Sequence, residues 1–125
     1  MASRYFFLTF LLAATLAQAS DAWHVPARGT LERKQIMDAL RTYMKRFDAQ
    51  PQVFVVRELC VGIDRGWLSV DPQSTDGRSH YESLSAVLER HGRSWHVRDL
   101  ACGEEDCPAG TSPDELRARV APHCR

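Results

Sequence analysis

The stretch Cys102-Gly-Glu-Glu-Asp-Cys107 puts two thiols and three carboxylates into one short segment, the densest collection of reactive side chains in the chain. Such a set could ligate a cation, yet it matches neither the Cys/His spacing of a structural zinc site nor the oxygen ladder of a calcium loop. Adding Cys60 and Cys124 makes four cysteines. An even count in a small chain with an export signal reads as two disulfides, for which three connectivities exist. The expectation is therefore a disulfide bracket at Cys102 and Cys107 that holds Glu104, Glu105 and Asp106 out as a solvated acidic loop. These three residues are the candidate binding site, because a short constrained loop loses little entropy on binding and its charge speeds association with a basic cleft.

The other chemistry-bearing residues are scattered. No Gly-x-Ser-x-Gly elbow, phosphate-cradling glycine loop or His-Glu-x-x-His helix occurs, which removes the enzyme classes that depend on them. The histidines, at 24, 80, 91, 96 and 123, lack ligand spacing and read as surface residues. No metal or cofactor is expected.

The compartment follows from the beginning of the chain. Arg4 gives a basic start, Tyr5 to Leu16 form an apolar run of about a dozen residues, and Ala17-Gln18-Ala19 has the small-x-small pattern of signal cleavage. The run is too short for a membrane span, which takes about 20 apolar residues. Residues 1–19 are thus expected to be removed, leaving 20–125 as one domain of 106 residues with 15 basic and 16 acidic side chains. That balance leaves no footprint for nucleic acid or an anionic membrane. Asparagine is absent, so the chain has no N-glycosylation acceptor. The arginine-rich composition and compact signal favour a bacterial protein, periplasmic or secreted.

The elements that must position these residues follow from hydrophobic periodicity. From Thr30, a candidate N-cap, apolar residues recur at Ile36, Met37, Leu40, Tyr43, Met44 and Phe47, one face of a helix closed by Pro51. Beyond it the period changes to two. Val53, Val55, Leu59, Val61 and Ile63 share one parity of a long strand, Asp64-Arg65 turn, and residues 67–71 return, with Ile63 opposite Gly66 and Leu59 opposite Val70. A second hairpin over 80–90 and 93–102 turns at His91-Gly92, setting Leu88 opposite Trp95 and Ala86 opposite Val97. On that register Glu82 and Asp99 face the core, with Arg57 equivalent in the first strand; buried carboxylates of this kind acquire general-base pKa values. Ser112-Pro113-Asp114-Glu115 is a capping box that opens a short helix to about Val120. Its apolar contacts, Leu116 and Val120, are so few that a covalent tie through Cys124 is needed. Cys60 and Cys102 fall on the same sheet face but two strands apart, farther than the roughly 7 Å a disulfide can bridge between Cα atoms, so the expected pairs are Cys102 with Cys107 and Cys60 with Cys124.

The run Phe54-Val55-Val56-Arg57-Glu58-Leu59, then Gly66-Trp67, then Ala86-Val87-Leu88-Glu89-Arg90 with Gly92-x-x-Trp95-x-Val97, resembles small exported bacterial proteins built of a helix plus two β-hairpins. The resemblance covers residues 30–102, implies that fold, and transfers no catalytic residue. The expected fold class is α+β, an N-terminal helix on a four-stranded antiparallel sheet with a short C-terminal helix and disulfide bracing. The expected function is non-catalytic binding of a protein partner, as an inhibitor or immunity protein against a secreted or envelope enzyme. The alternative is a cystatin-like or nuclear-transport-factor-like domain with a small-ligand or acid-base site at Glu82 and Asp99.

Overall fold

The computed structural model describes residues 22–47, 50–103 and 107–124. Residues 1–19, expected to be a signal, and the acidic triplet Glu104, Glu105 and Asp106 lie outside the described residues. The order is α1 (Leu31–Met44), β1 (Gln52–Val61), β2 (Arg65–Ser74), β3 (Leu84–His91), β4 (Ser94–Leu100) and α2 (Pro113–Val120). The strands form an antiparallel meander, β1-β2-β3-β4, so the α+β class with disulfide bracing is the observed one.

Thr30 starts α1: its hydroxyl accepts from Arg33 N at 3.3 Å while donating to the Ala27 carbonyl at 2.7 Å. Ile36, Met37 and Leu40 are buried against Leu59, Val61, Leu68, Val70, Ala86, Leu88 and Trp95. Phe47 does not join this face. The helix ends at Met44, and Phe47 lies beyond it, 68% exposed, with its ring 5.6 Å from that of Tyr43.

The opposite sheet face carries a second, smaller core of Cys60, Trp67, Val87, Ala121 and Cys124, flanked by Trp23, Leu116 and Val120. The sheet is thus sandwiched between α1 and α2. No residue of α2 itself is buried; the helix is held by the Cys60–Cys124 disulfide and by Arg117, which donates to Glu58 Oε1 at 2.7 and 2.6 Å and to the Cys124 carbonyl at 2.9 Å. Cys102–Cys107 is the second disulfide. Both pairings are those expected.

Three registers differ from expectation. In the first hairpin Val61 faces Gly66 and Leu59 faces Leu68, a slide of two residues. Gly62 N bonds Arg65 O at 2.8 Å, Ile63 is left 56% exposed, and Asp64 O takes the Arg90 amide at 2.7 Å. A side chain at position 66 would sit 2.5 Å from Val61 Cγ1, so only glycine fits opposite Val61. In the second hairpin the turn is Gly92-Arg93, with His91 facing Ser94, Arg90 facing Trp95 and Leu88 facing Val97. Gly92 has φ 62°, as the first position of a type II′ turn requires; a turn at His91-Gly92 would have put that strain on histidine.

The third difference is a pair of β-bulges. The ladder shifts between Val56 and Glu58, around Arg57, and again between Val97 and Asp99, around Arg98. Each extra residue reverses the inward parity. Phe54 and Val56 therefore join Leu59 and Val61 under α1, whereas Val53 and Val55 turn outward, 41% and 45% exposed. Asp99, expected to face the core, instead lies opposite Val87 on the α2 side and is exposed.

Candidate functional site

Sheet order makes β4 an edge strand, and α1 packs alongside it. Between them runs an open groove of about 360 Å³. Its helix wall is Gln35, Asp38, Ala39, Thr42, Tyr43 and Arg46. This i, i+3, i+4, i+7 spacing is a polar stripe beside the buried stripe of Ile36 and Leu40. Its other wall is the consecutive run Ser94 to Val97. Side chains of consecutive strand residues point to opposite faces, so a wall made of all four is the backbone edge of the strand.

The electrostatics of the helix wall are polarised. Asp38 receives Lys34 Nζ at 2.6 Å and Arg41 Nη1 at 3.0 Å, and the Lys34 bond foremost holds its carboxyl below the ordinary aspartate range. Eight residues further, about 12 Å along the axis, the Arg46 guanidinium lies over the Tyr43 ring at 5.4 Å. One end thus carries a satisfied carboxylate and the other a cation with no ion-pair partner among the described residues.

The residues singled out in the sequence are dispersed. Glu104, Glu105 and Asp106 are outside the described residues; their bracket is described, with Cα atoms of Cys102 and Cys107 5.7 Å apart and Cys102 N bonded to Thr111 O at 3.3 Å. Glu82 precedes β3, which begins at Leu84 and not at His80, and is exposed beside Gly103, whose absent Cβ would meet Glu82 Oε1 at 3.2 Å. Arg57 projects from its bulge with its Nε 3.5 Å from Asp71 Oδ2, while Asp71 Oδ1 accepts from Ser83 Oγ at 2.6 Å. Neither Glu82 nor Asp99 faces the core, and no charged side chain among the described residues is buried. The space between α1 and the sheet is filled by Ile36, Leu40, Leu68 and Leu88, each 0% exposed.

No family model, curated protein or solved structure matches this chain. The site must therefore be read from its own geometry.

Two histidines among the described residues pair with carboxylates. His24 forms a β-bridge with Val61, each amide bonding the other's carbonyl at 2.9 Å. Its Nε2 lies 2.8 Å from Glu32 Oε2, and that bond raises its pKa. Trp23 seats on Gly62, where a Cβ would lie 3.0 Å from the indole ring. His91 contacts Glu89 Oε1 at 2.8 Å and the His96 ring at 5.1 Å. Among the described residues no three His, Cys, Asp or Glu side chains gather as a metal site.

Sequence reasoning did not find the groove. Its helix wall had a signal in the polar stripe Gln35, Asp38, Thr42. Which edge of the sheet that stripe borders depends on how α1 lies across the strands, and periodicity carries no such information.

Proposed function

We propose that the protein is a small exported, non-catalytic binding domain that engages a protein partner, of the inhibitor or immunity type, in the periplasm or outside the cell. The observation that carries this reading is the groove: it sits on the rim of a doubly disulfide-braced domain and displays edge-strand backbone to which no bond is found from outside the sheet among the described residues. A preorganised surface of this kind lowers the ordering cost of association. Two disulfides fit an oxidising compartment, and no helix among the described residues is long and apolar enough to cross a membrane. A ligand site of the cystatin-like or nuclear-transport-factor-like kind needs room between helix and sheet, which the apolar side chains occupy.

The expected contact of Glu104, Glu105 and Asp106 with a basic cleft belongs to the same proposal. The test is to mix the oxidised protein with the exported hydrolases encoded beside its gene and to follow their activity. Stoichiometric inhibition, weakened by alanine at all three acidic positions in a salt-dependent way, is the expected result. Unaltered activity of every enzyme, with no complex formed, would refute it.

A further inference from the structure

We infer that the groove between α1 and β4 takes an extended peptide segment of the partner, which adds to β4 as a fifth strand and sets an acidic group against Arg46. This rests on the reading of the protein as a protein-binding domain and names the part of the partner that is bound.

The hydrogen-bond pattern of β4 is the main argument. His91 and Ser94 flank a two-residue turn and exchange backbone bonds, as do Glu89 and His96 one step along the alternating ladder. The amides and carbonyls of Trp95 and Val97 therefore point away from β3, into the groove. No bond to them is found elsewhere among the described residues. Two donors and two acceptors at a two-residue repeat are the pattern that an extended backbone satisfies, and a helix or a loop does not. Along the other rim, the chain does this to itself: residues around His24 pair with the free edge of β1 at Val61.

Dimensions and charge define the occupant further. Ser94 to Val97 extend for about 13 Å at the usual strand rise, and the helix wall from Gln35 to Arg46 for about 16 Å, a match for four to five extended residues. Ala39 and Thr42 leave the middle of the helix wall low. The bulge at Arg98 ends the regular edge and, with the charges of Arg98 and Asp99, blocks open-ended strand pairing. Asp38 is already compensated by Lys34 and Arg41, whereas Arg46 has no ion-pair partner among the described residues, so a carboxylate, from an acidic side chain or a chain terminus, would complement it.

The experiment uses the oxidised protein and a phage-displayed library of linear dodecapeptides, followed by synthetic copies of an enriched peptide. Expected are slowed hydrogen exchange, by tenfold or more, at the Trp95 and Val97 amides in the complex, and a period-two pattern in which N-methylation weakens binding tenfold at alternate positions only. Thr42→Trp, which fills the groove from an exposed position, should weaken binding at least tenfold. Ala118→Trp on α2 should not, and Arg46→Glu should select against acidic peptides. Failure to enrich any peptide, or protection elsewhere with no N-methylation pattern, would overturn strand addition. So would a concentration-dependent dimer that protects the same amides without peptide, since a second copy would then own the groove. The enzyme-mixing test keeps these failures distinct: a complex that leaves Trp95 and Val97 unprotected removes strand addition but not the binding reading, and absence of any complex removes both.

Discussion

Replacing Cys60 and Cys124 together by alanine should be the most damaging change to the fold outside the main core. The disulfide spans 64 residues, for which the loop-entropy relation gives about 4 kcal/mol; the Cys102–Cys107 bond spans 5 residues and gives about 2 kcal/mol. The structure adds a local consequence. Because α2 fully buries none of its own residues, loss of the bond leaves it held mainly by the partly buried Leu116 and Val120 and by the partly exposed Arg117–Glu58 pair. Trp67, 1% exposed beneath Cys60 and Cys124, would then meet water. Urea unfolding followed by tryptophan fluorescence reads both effects: the midpoint should fall by roughly 1.3–4 M, given slopes of about 1–3 kcal/mol/M, and native emission should shift to the red before global unfolding. The Cys102→Ala/Cys107→Ala variant should lose about half as much stability and keep its native emission. The reasoning fails if the Cys60/Cys124 variant stays within about 1 kcal/mol of the parent, or if the short-loop variant is the less stable of the two.

Leu40→Ala should destabilise by roughly 2–5 kcal/mol and Leu31→Ala by about 0.5 or less; the substitution is the same, but one side chain is fully buried and the other 70% exposed, and equal losses in calorimetry would refute the packing of α1. Protonated His24 is favoured by Glu32, so its folded-state pKa lies above the unfolded one. Its contribution is complete at pH below the unfolded value and disappears as pH rises through the folded one; Glu32→Gln should lower the His24 midpoint in an NMR titration, and an unchanged midpoint contradicts the assignment. Gly66→Ala should sharply destabilise the first hairpin, since its Cβ would fall 2.5 Å from Val61 Cγ1 and 3.0 Å from the Cys60 carbonyl oxygen; a parent-like unfolding midpoint would show that the hairpin slides back.

The elements were legible because each has a local physical cause. Thr30 and the Ile36, Met37, Leu40 stripe define α1, the Ser112–Glu115 box defines α2, and the change to period two after Pro51 defines the hairpins. Disulfide pairing was legible as well, because sheet order keeps Cys60 and Cys102 apart. What escaped was the effect of single inserted residues. Arg57 and Arg98 look like any exposed strand residue, yet each reverses the inward parity after it, and Arg98 moves Asp99 from the core face to solvent. Turn positions escaped for a related reason: apolar-on-apolar matching is satisfied by two registers that differ by two residues, and the choice between them is made by backbone conformation at Gly92 and by the lack of a side chain at Gly66. The acidic loop was read from composition alone. The groove is a tertiary product of α1 and β4, and nothing local announces it.

Calorimetric titration of the oxidised protein into the exported hydrolases encoded beside its gene, with enzyme activity followed in parallel, bears most directly on the central claim. The account predicts a one-to-one complex with one of them, saturating together with inhibition and weakened by Thr42→Trp in the groove. Absence of heat and of inhibition with every enzyme, or turnover of a substrate by the protein itself, would contradict it.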